Sequence, residues 1–373
     1  MKFAFWAAAL VIGYTYFGYA GWLWLRSRWS PWPIQRGSYV PAVSIVMVVR
    51  NEAAVLERKL QNLASLKYPE NLREILVVSD GSSDETNDIL SSYANQINLR
   101  ALLKEQSQGK AAGLNDALAT AQGDIVLFTD ARQMIESGAL GLLVENFADP
   151  TVGCVSGELM LGDPTSGEAA RGMGLYWQIE KKVREWESGS GSVVGATGAI
   201  YAVRRNLLIA VPTDTILDDV YIPMQVVRQG ARVIFDPRAR AWDLPDLGKS
   251  REFNRKVRTL SGNYQLLQLA PWLLSKQNPI RFEFLSHKLI RLVAPFALLI
   301  ALLASCFLAG PIYRIALILQ LAFYGLSLLA MMQVAKGPLA RMADAAYTFV
   351  VLNTAAAVAF ANFVRGRKTV WVR

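Results

Sequence analysis

Short apolar runs alternate with stretches of helical leucine spacing along the first half of the chain. Val43 to Val49 is apolar apart from Ser44 and reads as a strand, and Leu56, Leu60 and Leu63 then place a helix from about Glu52 to Leu66. Strand Ile75 to Ser79, a helix opening near Asp84, strand Leu99 to Leu103, a helix from Lys110 and strand Ile125 to Thr129 continue the pattern. This β-α-β-α-β-α-β alternation predicts an α/β domain, a parallel sheet covered on both faces by helices. Beyond it, helices are expected at Gly138 to Phe147, Arg171 to Ser188 and Asp219 to Gln229, with short strands near Val152, Ile200 and Val233.

The polar residues gather where the predicted strands end. Strand one runs into Arg50-Asn51-Glu52, strand two into Asp80-Gly81-Ser82-Ser83-Asp84, and the strand at 125–129 into Asp130-Ala131-Arg132. In open α/β sheets the carboxyl edge is the ligand-binding edge. Asp80 in a tight turn is placed to accept hydrogen bonds from a ribose or a base edge, while Ser83 or Asp84 caps the next helix. Gly109-Lys110 opens a helix, where a lysine and free backbone N–H groups can meet phosphate. Asp130 suits a hard cation such as Mg²⁺, which binds through one or two carboxylates and substrate phosphates. Taken singly, Asp80 reads as a turn residue, Lys110 as a solvated lysine and Asp130 as a helix cap; their coincidence on one rim favours a nucleotide pocket. Neither G-x-G-x-x-G nor G-x-x-x-x-G-K-[ST] is present, which disfavours NAD and a P-loop.

Hydrophobicity changes the picture at both ends. The chain of 373 residues is 53% hydrophobic and 18% charged, and the excess lies in Phe3 to Leu25, Leu292 to Tyr313, Ile315 to Ala335 and Ala345 to Val364. Each is about 20 residues or longer, enough to cross ~30 Å of hydrocarbon. The expected organisation is a membrane anchor at 1–29, a Pro-rich linker at 30–40, a soluble domain at 41–265, an amphipathic interface segment at 266–291 and a membrane region of about three helices at 292–373. Arg26, Arg28 and Arg36 place the middle domain in the cytoplasm by the positive-inside rule, whereas Arg365, Arg367, Lys368 and Arg373 argue for the same side and conflict with three further crossings. The net charge of +9 is assigned to anionic lipid and phosphate-bearing ligands, with no nucleic-acid reader in sight. One histidine, His287, and two distant cysteines, Cys154 and Cys306, exclude His-dependent triads and zinc chemistry.

Further candidates lie downstream. Trp177, Glu180, Arg184 and Glu187 share a helical face, either a sugar-binding surface of ring and carboxylates or a salt-bridged exterior. Gly195-Ala-Thr197-Gly198 precedes a strand and either admits a bulky acceptor close to the backbone or is a plain turn. Asp218 and Asp219 open a helix, where paired carboxylates serve as caps unless chemistry claims them. Arg251, Arg255 and Arg258 fall at i, i+4 and i+7, facing either phosphate or lipid headgroups.

Together the stretches 43–52, 78–86, 109–115, 128–132 and 217–219 resemble the membrane-anchored members of glycosyltransferase family 2, over about Pro41 to Gln265. These are inverting enzymes of the Rossmann-like GT-A fold that include cellulose, chitin and hyaluronan synthases. The resemblance implies that Asn51, Glu52 and Asp80 bind base and ribose, Lys110 the sugar-nucleotide side, and Asp130 a Mg²⁺ or Mn²⁺ ion on the diphosphate. It implies Asp219, the last of its acidic pair, as the catalytic base beside Asp218, with Arg255 and Arg258 as diphosphate ligands and Trp177, Glu180, Gly195 and Thr197 on the acceptor side. Two departures stand out. Arg132 occupies the second place of the family's Asp-x-Asp pattern, and Thr259 replaces the tryptophan of its Gln/Arg-x-x-Arg-Trp motif.

The implied activity is transfer of a sugar from a UDP-sugar or related donor to a lipid-linked or glycan acceptor in cell-envelope or exopolysaccharide synthesis, at the cytoplasmic face of a bacterial membrane. A processive polysaccharide synthase, and a non-catalytic sugar-nucleotide sensor or transporter subunit, are the alternatives.

Overall fold

The computed structural model describes residues 1–94, 96–162, 175–243 and 249–366. Helices α1 (Lys2–Gly13) and α2 (Tyr19–Trp29) are joined by a π-helical turn, Tyr14–Gly18, into one long helix. Then come β1 (Val43–Val49), α3 (Ala53–Ala64), β2 (Arg73–Asp80), α4 (Thr86–Tyr93), β3 (Leu99–Lys104), α5 (Lys110–Thr120) and β4 (Ile125–Phe128). The alternation expected from the apolar runs is present, with boundaries shifted by a residue or two.

Past β4 the chain departs from the parallel plan. β5 (Met134–Ile135), α6 (Ala139–Val144), β6 (Val152–Leu161), α7 (Leu175–Ser190), β7 (Tyr201–Arg204), α8 (Asp218–Arg228) and β8 (Arg232–Asp243) follow. Among the described residues one eight-stranded sheet forms in the order β3-β2-β1-β4-β7-β6-β8-β5. β3, β2, β1 and β4 are parallel, but β7 runs antiparallel to both β4 and β6, and β5 antiparallel to β8. The expected all-parallel sheet is therefore mixed, and the strands near Val152 and Val233 are long rather than short. Length is gained because β6 and β8 pair side by side over most of their course.

Period-2 alternation in the strands divides the core into two layers. Val46 and Val48 of β1 pack with α5 and α8, while Ile45, Met47 and Val49 pack with Leu56, Leu60 and Leu63 of α3 and with α6. With helices packed on both faces, a ligand reaches this sheet at its strand ends.

The last elements are α9 (Lys249–Leu269), α10 (Arg281–Phe284), α11 (Ile290–Phe307), α12 (Pro311–Met331) and α13 (Gly337–Val364). Among the described residues four helical stretches are long and apolar enough to cross a membrane: Lys2–Trp29, Arg281–Phe307, Pro311–Met331 and Gly337–Val364. Gly310, at a φ of 134°, with Pro311 at the next helix's first turn, breaks the second apolar run from the third. Ile312, Ile315, Ile318, Leu319 and Leu321 of α12 are exposed, a surface suited to hydrocarbon. Helix α9 passes the expected boundary at 265 and stacks Tyr264 on Phe363 of α13 at 5.1 Å. Arg171, Arg367, Lys368 and Arg373 lie outside the described residues, and of Arg251 only the helical backbone is described.

Candidate active site

The carboxyl edge of the parallel strands is laced together by side chains from successive strand ends. Asn51 holds a left-handed φ of 53°, a conformation asparagine tolerates better than most residues. Its Oδ1 accepts from the Ser83 N–H at 2.8 Å, and its own N–H donates to Ser82 Oγ. Asp84 accepts from the N–H groups of Thr86 and Ala53, tying the start of α4 to that of α3. The Glu52 N–H donates to Thr86 Oγ1.

Asp80 is fully buried, not open to a ribose. Its carboxylate accepts from Ser107 Oγ at 2.7 Å and from the N–H groups of Gln108 and Gly109 at 2.8 and 2.9 Å. Burial would raise its pKa, but these three hydrogen bonds outweigh it and hold the carboxyl below its ordinary value. Gly81 is required beside it: at φ 65° a Cβ would come within 2.5 Å of the Ser107 nitrogen. Asp80 thus shapes the loop that delivers Lys110.

Lys110 Nζ bridges Asp130 Oδ1 at 3.0 Å and Asp218 Oδ2 at 3.2 Å. Burial opposes the ammonium, but Asp130, Asp218 and Asp219 prevail and raise its pKa, so it stays a cation. Asp219, next to Asp218 at the start of α8, is pushed up to about 6 by burial and by the charge of Asp218, with Lys110 opposing. The expected capping role of Asp218 is not what the helix start shows, since no side chain caps α8; its carboxylate is drawn to the lysine instead.

Asp130 and Asp219 face the same space. A Cβ on Gly198 would lie 3.4 Å from Asp130 Oδ2 and 3.6 Å from Asp219 Oδ2, so glycine keeps that space clear. Among the described residues no three His, Cys, Asp or Glu side chains gather into a metal cage. A Mg²⁺- or Mn²⁺-type ion held by one or two carboxylates and donor phosphates needs no cage, and Asp130 Oδ2, opposite the lysine-bound oxygen, fits that role. Gly195, at a φ of 114°, lies against Val220, and the Ala196 N–H donates to the Asp219 carbonyl at 2.7 Å. The Thr197 N–H donates to Ser156 Oγ. Of the two expected acceptor-side residues of this loop, Gly195 therefore borders Asp219 and Thr197 is tied to β6.

The other acceptor-side candidates do not. Glu180 Oε1 and Oε2 pair with His287 at 2.8 Å and Arg291 at 2.7 Å, which hold its carboxyl well below the usual range against the effect of burial. Glu187 pairs with the other His287 nitrogen and accepts from the Tyr19 hydroxyl. This face of α7 is tied to the helices at 19–29 and 281–307, and Glu180, expected on the acceptor side, is held there in ion pairs with His287 and Arg291. Trp177, 40% exposed, has no aromatic or hydrogen-bonded partner among the described residues. Arg255 lies 3.9 Å from Asp243, and Arg258 has no ion-pair partner among the described residues.

Lys59 was not anticipated. It is fully buried on the apolar face of α3, with Nζ donating to Thr129 Oγ1 at 2.8 Å and to the Gln133 carbonyl at 2.6 Å. Burial pulls its pKa down to about 7, against the charge of Asp130. Its legible signal was a lysine between Leu56 and Leu60, where the leucine spacing points inward. It grips both sides of Asp130, and Lys59→Met should lower stability by about 1 to 3 kcal/mol by orphaning the Gln133 carbonyl. The midpoint of chemical unfolding reads this directly.

Residues 44–211 match the model of glycosyl transferase family 2. The chain carries a family 2 glycosyltransferase domain. Poly-beta-1,6-N-acetyl-D-glucosamine synthase of Staphylococcus aureus strain COL is 24% identical over 229 residues, 60% of this chain and 55% of that protein. The Staphylococcus epidermidis protein of the same name is 24% identical over 255 residues, 67% of this chain and 61% of its own length. The chain thus spans little more than half of these curated relatives. A mannosyltransferase from Pyrobaculum calidifontis, solved with GDP-Man and Mn²⁺, superposes with a TM-score of 0.74 at 24% identity, covering 95% of this chain and 97% of that one. The family 2 domain here has the GT-A fold, flanked by apolar helices at both ends.

Proposed function

We propose that this chain is a membrane-bound inverting glycosyltransferase that moves a sugar from a nucleotide diphosphate, UDP in the first instance, to a lipid-linked or glycan acceptor. The observation that carries the reading is the convergence of Lys110, Asp130, Asp218 and Asp219 at the sheet's carboxyl edge beside the clearance at Gly198. In this reading Asp219 takes the proton of the attacking acceptor hydroxyl, a role its raised pKa suits near neutral pH. Lys110 and the arginines of α9 meet the charge of the departing diphosphate. Bound at Asp130, a divalent ion would neutralise that charge further. Asn51 and Glu52 border the base and ribose end of the pocket.

The basic residues after the anchor support a cytoplasmic catalytic face, and the staphylococcal relatives support a bacterial membrane and a place in exopolysaccharide synthesis. Their names also favour a second reading, a processive synthase, although Thr259 in place of the tryptophan of the resembling motif weighs against it. Purified full-length protein in lipid nanodiscs, given labelled UDP-GlcNAc and extracted membrane lipids, should release UDP and label a product whose length separates single transfer from polymerisation. Donor binding without turnover across a panel of UDP- and GDP-sugars would instead mark a sensor.

A further inference from the structure

Arg132, two residues beyond Asp130, has no part in the chemistry above. Its Nη2 lies 3.6 Å from Asp243 Oδ2, and Arg255 Nη1 approaches the same oxygen at 3.9 Å. Asp243 closes β8 with its side chain 8% exposed, and it also accepts a hydrogen bond from Gln133 Nε2 at 3.0 Å. One nearly buried carboxylate therefore gathers two arginines from separate elements, the loop after β4 and helix α9. Both guanidiniums remain open, at 36% and 53% exposure. At these separations the contacts are ion pairs rather than hydrogen bonds, and neither arginine donates a hydrogen bond among the described residues, so both keep their forks for a ligand.

The charge balance points to an anion. Among the described residues two cations share one carboxylate, leaving a positive excess beside the carboxyl edge of β4. An arginine at position 132 repels a metal ion and attracts a phosphate, the reverse of what a carboxylate there would do, and its planar fork matches phosphate oxygens bidentately.

We infer that Arg132, paired with Arg255 through Asp243, is a direct ligand of the donor's diphosphate, so that donor binding has a component independent of metal. This rests on the proposed glycosyltransferase reading and assigns Arg132 the work of neutralising phosphate at a position where a second carboxylate would serve a cation.

The test is UDP and UMP affinity of the full chain by calorimetry, in Mn²⁺ and in EDTA, for wild type, Arg132→Ala, Arg132→Lys and Arg132→Asp, with ligand-free melting as the folding control. Wild type should bind UDP in EDTA. Arg132→Ala should lose about 10- to 100-fold of that affinity, the effect of a lost bidentate charged contact, and Arg132→Lys should recover part of it. UMP, which lacks the second phosphate, should respond much less, and Arg132→Asp should bind UDP only with Mn²⁺. Equal UDP affinity of wild type and Arg132→Ala in EDTA overturns the inference, as does Arg132→Asp binding UDP more tightly and turning over faster than wild type. Binding of UDP by wild type with Mn²⁺ alone sinks this inference and leaves the proposed function standing; no nucleotide binding under either condition sinks both.

Discussion

Asp219→Asn should lower kcat by about 10² to 10⁴, the cost of losing a positioned general base, while donor affinity stays within a small factor of wild type. The amide keeps the shape of the carboxylate and the start of α8, whose helical N–H groups no side chain caps. It removes the carboxylate at this edge whose pKa is raised to about 6 by burial and by Asp218. Turnover in wild type should therefore rise with pH through an acid limb near 6. Asp218→Asn deletes a negative neighbour that favours the protonated form, so the limb should move to lower pH.

The stability sign is the control. A carboxyl whose folded pKa is raised above its ordinary 3.8 binds more protons folded than unfolded. Its contribution is full below about 4 and fades as pH rises through 6. Asp219→Asn should then be at least as stable as wild type at pH 7, which separates lost chemistry from lost folding. Single-turnover rates, donor titrations and melting curves measured across pH 4.5 to 8.5 decide it. An inactive Asp218→Asn beside an active Asp219→Asn would reverse the assignment.

Asp130→Ala should abolish the stimulation of donor binding by Mn²⁺ or Mg²⁺ and cut turnover by about 10² or more, on the scale of several kcal/mol that a polarising ion supplies. The fold should hold, because Asp130 is 41% exposed and the strand end behind it is gripped by Lys59 through Thr129 and Gln133. Lys110 keeps Asp218 as partner, so residual UDP affinity should match that of wild type in EDTA. Calorimetric titration of UDP with and without metal reads both values. A variant whose affinity in Mn²⁺ equals that of wild type would remove Asp130 from the metal's ligands.

The amino-acid pattern by itself determined the first half of the domain. Apolar runs of strand length between leucines at helical spacing can bury themselves only as parallel strands under helices, and that packing alone puts Asn51, Asp80 and Asp130 on one rim. Four apolar stretches likewise declare their length against the thickness of a membrane. What the pattern did not carry was partnership. Whether β7 runs antiparallel to β4 depends on a long-range pairing that no local periodicity encodes. Asp80, named for ribose, turned inward because the loop at 107–109 brings it three donors from a distance of nearly thirty residues. Glu180, named for sugar, lies where α7 meets the membrane helices, and His287 and Arg291 arrive there from a hundred residues away. Lys110, Asp130 and Asp218 were each legible as charged residues at helix or strand ends. Only the tertiary structure placed one ammonium between two carboxylates, because the energy of that arrangement depends on distance through space and not along the chain.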